Sequence, residues 1–354
     1  MAGAASASLQ ETSLQAACGP QMKVRAAPED LPEGLCFYPD SRPGIARRRC
    51  GRGFSYTLPD GTTLARGPER ARIEALGIPP AYEEVWISPR ENGHLQATGL
   101  DARTRKQYRY HPLWSEARAA EKFETLTGFG HALPRIRRAV TRDLAEGPGE
   151  MSFALAAAVL LIDRLAMRVG NAAYTQANGS YGALTLRRRQ MRLCEDGLRL
   201  SYTAKGGKKI RRRLTDRKLL KVLDQARDLP GAELITWIDE DGAPRALGSD
   251  QLNAYLSDLG QGNFTAKTFR TWSGSLAAFE AAEAGGRTIK ALSGAAAARL
   301  NNTPTVARNS YIHPKVIALA EAGRLPDLAP VKLRGLSAAE ARLLALLESP
   351  ETRG

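Results

Sequence analysis

Residues 152–171 read SFALAAAVLLIDRLAMRVGN. From Phe153 to Ile162 every position is apolar, with no polar stripe at the helical period, so a helix over 152–169 is expected to be buried on all sides. That run is too short to span a bilayer and ends in Asp163-Arg164, which argues against a membrane anchor. Arg168 closes the segment, where a guanidinium complements the negative end of a helix dipole.

Away from this centre the texture divides in two. Residues 34–112 are short strands broken by Gly and Pro. Residues 54–58 alternate, Pro59-Asp60-Gly61 turns the chain, and 62–64 return as a hairpin. Strands continue at 85–87, 95–98 and 107–110, with a helix only at 68–76. After His111-Pro112 come helices at 117–127 and 133–144. Beyond the central helix, strands are expected at 183–186, 198–202 and 209–214. Helices follow at 216–227, 249–259, 275–284, 287–300 and 338–347, the last opened by a Ser337/Glu340 capping box. The expected fold is α+β: a small mostly β domain at 26–115, then a mainly α domain at 116–354 with a small inserted sheet. Residues 1–25 are Ala/Ser/Gln-rich and read as a disordered tail.

The 354 residues carry 51 Lys+Arg against 37 Asp+Glu, a net charge of +14 that calls for a polyanionic partner, nucleic acid first. Cysteines 18, 36, 50 and 194 have no CxxC spacing, and the histidines at 94, 111, 131 and 313 form no HxxxH pair, so neither a disulfide framework nor a metal site is expected. No secretory pattern opens the chain, and the cytoplasm is the expected compartment.

Five residues carry candidate chemistry. Thr303-Pro304 reads as a helix N-cap and first helical position, starting a short polar helix that presents Tyr311 before Pro314. Lys205 lies in the glycine-bearing turn Ala204-Lys205-Gly206-Gly207, Arg270 among aromatics in Lys267-Thr268-Phe269-Arg270-Thr271-Trp272, and Asn302 just before the Tyr311 helix. Each alone has a plain structural reading: a helix-dipole partner for Arg168, a solvated hairpin tip for Lys205, a stacked arginine, a flanking amide, a half-buried tyrosine. Together they suit phosphoryl transfer. Two guanidiniums neutralise nonbridging oxygens, a loop lysine protonates the leaving oxygen, and a phenol attacks in line to form a phosphotyrosyl bond. No metal-ligand spacing is visible, so these cations take the part Mg²⁺ plays elsewhere.

The order Arg168, Lys205, Arg270, Asn302, Tyr311 resembles the type IB DNA topoisomerases, in the bacterial branch similar to the poxvirus enzyme. The boxes Met167-Arg168-Val169-Gly170-Asn171, Lys267 to Trp272 and Ser310-Tyr311 carry the resemblance. So do Ile78-Pro79-Pro80-Ala81-Tyr82, Val85-Trp86-Ile87, Gly93-His94-Leu95-Gln96-Ala97 and Gln107-Tyr108-Arg109-Tyr110-His111-Pro112. It implies that Tyr311 bonds the DNA 3′ phosphate and expels a 5′ hydroxyl, that Arg168 and Arg270 stabilise the transition state, and that Lys205 is the general acid. Asn302 stands where many members have histidine and offers an uncharged donor. Gln107, Tyr108 and Tyr110 match a strand facing the major groove, and Tyr174 matches a DNA-contacting position. Lys208 and Lys267 join them as DNA-binding residues.

The chain departs from the family pattern at Thr268, where aspartate is usual, at Thr104, where glycine is usual, and in Ala204-Lys205-Gly206 for Gly-Lys-Ser. The resemblance implies a monomer that clamps supercoiled duplex DNA, needs no ATP, metal or obligate protein partner, and hinges near 111–118. The basic runs 47–49, 135–142, 187–189 and 208–213 are expected to meet phosphates. The alternatives are a tyrosine recombinase, for which Lys267 and the β domain are unfavourable, and a non-catalytic DNA-binding protein.

Overall fold

The computed structural model describes residues 31–350 apart from 196, 323, 324 and 328, so Cys18 and the expected tail lie outside the described residues. The chain forms two compact units, one ending at Arg118 and the other beginning at Ala119.

The first unit is built on an antiparallel sheet in the order β2-β1-β3-β4-β5, with β1 Ile45–Cys50, β2 Gly53–Thr57, β3 Glu83–Ile87, β4 Leu95–Leu100 and β5 Lys106–Tyr110. The helix α1 (Pro68–Ala75) buries Ile73 with Ile45, Tyr56, Val85, Ile87 and Ala97. The hairpin expected after β2 is reduced to a bridge, Thr57 to Thr63, because β2 pairs along its length with β1, whose Arg-rich sequence hid it. In the turn between β4 and β5, Thr104 holds φ +55°, so this β-branched residue sits in the left-handed region where glycine is favoured.

The helix α2 (Pro112–Asp143) starts in the first unit and continues into the second. The stretch 111–118 expected as a hinge is therefore helical from Pro112. Where two helices were expected, at 117–127 and 133–144, there is one unbroken helix. Fully buried Phe129 meets Phe264, Phe269 and Trp272 edge-on, and that packing holds the turn helical.

In the second unit the apolar stretch is α3 (Met151–Leu165), buried along eleven of its residues as its sequence requires. It stops earlier than expected, at a left-handed Ala166, so Arg168 lies beyond the helix, outside any regular element. A short helix, α4 (Ala172–Asn178), follows. Residues 183–186 are a turn instead of a strand. The inserted sheet is β6-β7-β8, with β6 Met191–Cys194, β7 Gly197–Thr203 and β8 Lys209–Leu214.

Next come α5 (Arg217–Arg227), the β9–β10 hairpin (Thr236–Ile238, Pro244–Ala246) and α6 (Ser249–Gly260). The helix α7 (Ala266–Glu283) begins nine residues before the expected 275, and so contains the whole Lys267–Trp272 box. Thr268 takes over a capping role there, accepting from Thr265 N at 3.1 Å. The chain closes with α8 (Ile289–Leu300), α9 (Pro304–Tyr311), α10 (Pro314–Ala322) and α11 (Ala338–Glu348), whose Ser337/Glu340 capping box forms as expected. No helix among the described residues is long and apolar enough to cross a membrane.

Candidate active site

Two helix ends build the site. The last carbonyls of a helix have no partner inside it and carry the negative end of its dipole. The C-termini of α3 and α8 converge, and three guanidiniums are drawn between them. Arg299 donates to Arg164 O at 3.2 Å, Arg212 to Leu165 O at 2.9 Å and to Arg299 O at 3.1 Å. Arg270 donates to Ala166 O and, at 3.2 Å, to Leu300 O. These carbonyls explain how Arg270, only 4% exposed, is held without a carboxylate. Burial and the neighbouring Arg168 push its guanidinium pKa down from the usual value, yet an arginine keeps its charge in a protein.

The turn at 182–186 positions Arg168. Ala183 N donates to Arg168 O at 2.8 Å and Leu184 N to Val169 O at 2.7 Å. This close approach requires glycine on both sides: a Cβ on Gly182 would lie 2.3 Å from Gly170 N and 2.5 Å from Arg168 O. Arg168 in turn donates to Asn302 Oδ1. That contact leaves Asn302 Nδ2 buried without a hydrogen-bond partner, and Arg270 Nε is in the same condition. Unpaired buried donors are costly, and here two of them, with two guanidiniums, suit an anion.

Tyr311 is the last residue of α9, which starts as its sequence says, with Thr303 capping Val306 N and Pro304 first in the helix. The Arg270 guanidinium lies 5.1 Å from the centre of the Tyr311 ring. The approach of α9 to α7 depends on Gly274, where a Cβ would stand 2.7 Å from Tyr311 O and 2.9 Å from Leu300 Cδ1. Gly274→Ala should therefore displace the tyrosine and, with Tyr311 as the expected nucleophile, slow strand cleavage about 10²-fold, since misplacing a reacting group by an ångström costs that much. Single-turnover cleavage beside a DNA-binding titration checks this. Equal slowing and loss of binding would instead mean general misfolding.

Arg168 thus contacts Asn302 and Arg270 contacts Tyr311, and the two arginines line one niche. Lys205 is not held by them: it is exposed on the β7–β8 turn. Its neighbour Ala204 lines a small niche with Arg168, Arg270 and Tyr202, so the root of that turn reaches the site. Tyr202 was missed in the sequence. Burial raises its phenol pKa, while Arg212, Arg270 and Arg168 pull the other way.

The nucleic-acid candidates separate by strand alternation. On β5, Tyr108 and Tyr110 stack at 6.0 Å and are exposed, whereas Gln107 points to the other face and donates to Asp101 Oδ2 at 2.9 Å. Tyr174 on α4 is exposed, as are Lys208 and Lys267.

The basic runs do not act as units. Arg47 donates to the carbonyls of Ile78, Pro79 and Tyr82, while Arg135 takes those of Leu259 and Gly260. Arg137 pairs with Asp163 and Glu340, and Arg142 with Asp143. Arg188 donates to Gly231 O and Arg189 to Tyr181 Oη. Arg47, Arg135, Arg137 and Arg188 are thus committed to partners distant in sequence, and Arg142 and Arg189 to nearer ones. A different set faces outward together: Arg192, Arg199 and Arg213 stand opposite one another across β6-β7-β8. With Arg189, Arg211 and Ser201 they line a recess of about 510 Å³. Arg192 and Arg199 were overlooked, although their alternation with leucine marked an exposed sheet face. Like charges directly opposite destabilise a sheet, so this row suits an anionic partner.

Residues 111–320 match the family described as eukaryotic DNA topoisomerase I, catalytic core. Residues 53–101 match the bacterial DNA topoisomerase IB N-terminal domain. A DNA topoisomerase 1B from Acanthamoeba polyphaga mimivirus is 29% identical over 237 residues, covering 66% of this chain and 70% of the viral one. The catalytic-core match takes in α3, the arginines at the helix ends and Tyr311, and with it the chain belongs to the eukaryotic-type DNA topoisomerase I family, as a type IB DNA topoisomerase.

Proposed function

We propose that Tyr311 is the nucleophile of this enzyme and that Arg168, Arg270 and Asn302 form its anion-binding pocket. The phenolic oxygen gives its proton to solvent and attacks a backbone phosphorus of duplex DNA, the bond to the 3′ phosphate forms, and the bond to the 5′ oxygen breaks. Lys205, carried to the DNA on its exposed turn, gives that oxygen a proton. Religation runs the same steps backward. The guanidiniums and the Asn302 amide hold the charge that builds on the nonbridging oxygens. The observation that carries this reading is the pair of buried, unpartnered donors, Arg270 Nε and Asn302 Nδ2, beside Arg168.

On this reading the enzyme relaxes supercoiled DNA as a monomer that encloses the duplex, needs neither ATP nor metal, and works in the cytoplasm on the nucleoid. Tyr108, Tyr110 and Tyr174 contact the duplex, with Lys208, Lys267 and the arginine face of β6-β7-β8 on its phosphates. Gln107 reads bases only after leaving Asp101. The test is relaxation of supercoiled plasmid in EDTA without ATP, with a detergent-quenched aliquot examined for protein on the DNA 3′ end. Binding without relaxation or adduct would overturn the assignment. Arg199→Ala and Arg211→Ala should each lower the slope of log K against log salt by roughly 0.9, as expected for one lost phosphate contact. An unchanged slope would remove the arginine face from the DNA interface.

A further inference from the structure

Because Tyr311 ends α9, its place depends on how the final turn of that helix is held. Carbonyls there have no partner within the helix, and a free last turn frays. Two of them are taken from outside. Ser275 on α7 donates from Oγ to Tyr311 O at 3.3 Å and accepts from His313 N at 2.9 Å, so one hydroxyl spans both sides of the chain reversal. Lys122 on α2 reaches across from far upstream and donates from Nζ to Ser310 O at 3.0 Å.

Lys122 has an unusual setting for a packing residue. Its side chain is half-buried, with Nζ 3.9 Å from the centre of the Phe123 ring. Phe123 itself stands edge-on to His313. The charged group that faces Lys122 from α7 is another cation, Lys267. From the turn between α9 and α10 it is faced by His313, with Lys315 beyond, and that imidazole is pushed down to about 4 by burial and these lysines, so it is neutral. An apolar side chain of similar length would fill this space without desolvating a charge next to a like charge. What such a side chain lacks is a donor for Ser310 O.

We propose that Lys122 is a positioning residue for the strand-transfer reaction: its ammonium holds the Ser310 carbonyl and fixes the last turn of α9 where the Tyr311 phenol attacks. The inference rests on Tyr311 being the nucleophile. The hold depends on charge, because a donor that is ionised makes roughly twice as strong a hydrogen bond as a neutral one. Burial, reinforced by Lys267, pushes the Lys122 ammonium down to about 8. The group is charged below that value and neutral above it, so its contribution is complete at lower pH and fades as pH rises through about 8. Other steps of the reaction carry their own pH dependence, which cancels in a ratio. The informative quantity is therefore the ratio of wild-type to variant rates at each pH.

The experiment is single-turnover cleavage of a duplex whose 5′ fragment dissociates, measured from about pH 6.5 to about pH 9.5 so as to bracket the titration. The proteins are wild type, Lys122→Met, Lys122→Arg and Tyr311→Phe. Lys122→Met is expected to cleave about 10²-fold more slowly near neutrality, with unchanged DNA affinity and a deficit that narrows above pH 8. Lys122→Arg should recover most of the rate and, keeping its charge, gain on wild type above pH 8. If Lys122→Met does not fold, the rising ratio of Lys122→Arg to wild type carries the test alone. A wild-type rate in Lys122→Met, or variant ratios constant across the range, would overturn the proposal and leave Lys122 as packing. An adduct surviving in Tyr311→Phe is a separate result, which would remove the nucleophile assignment beneath it.

Discussion

Tyr311→Phe is expected to abolish both the covalent adduct and plasmid relaxation, by about 10⁴-fold or more, as loss of a nucleophile does elsewhere. The substitution removes only the hydroxyl. The ring that lies 5.1 Å from the Arg270 guanidinium remains, as do the bonds from Lys122 to Ser310 O and from Ser275 to Tyr311 O. The fold and the noncovalent, salt-sensitive binding of DNA should therefore survive. A detergent-quenched gel with end-labelled DNA reads the adduct, and a binding titration at several salt concentrations reads the rest. Relaxation by the phenylalanine variant would show that another group attacks the phosphate.

Arg270→Ala is expected to lose activity and stability together, unlike Tyr311→Phe. Removing a preorganised donor aimed at developing charge costs about 10²–10³ in rate. The same guanidinium also closes the ends of α3 and α8 through Ala166 O and Leu300 O, buried where water cannot replace it. Leaving those carbonyls unsatisfied costs roughly 1–3 kcal/mol each. Thermal melting together with single-turnover cleavage separates the two effects. Arg270→Lys keeps the charge but has a single donor head, so it should restore part of the stability and little of the rate. A melting curve unchanged in Arg270→Ala would rule out the helix-end role.

Much of this was visible in the chain before folding. The α+β class and the buried helix at α3 follow from local periodicity. The Thr303-Pro304 start of α9, the Ser337/Glu340 box and the β7–β8 turn bearing Lys205 are likewise local events, set by neighbours within a few residues. Local pattern failed where distant partners decide. Phe129, held by three aromatic rings from later in the chain, keeps α2 continuous. Residues 183–186 have strand-like composition, but the N–H groups of Ala183 and Leu184 serve Arg168 O and Val169 O, and those of Thr185 and Leu186 turn back to Gly182 O.

The basic residues show the division most clearly. Their number in the sequence points to an anionic partner, because net charge is a property of composition and survives any fold. Which arginines face that partner is not a property of the runs. Arg211, Arg212 and Arg213 are consecutive and all border the open recess, yet strand alternation commits the Arg212 guanidinium to two helix ends and leaves the other two side chains exposed. Chain order alone supplies the chemistry available: a phenol, the guanidiniums, an amide and a lysine in sequence. The tertiary structure decided their use, since orphan helix carbonyls, burial and like-charge neighbours exist only once segments far apart have packed together.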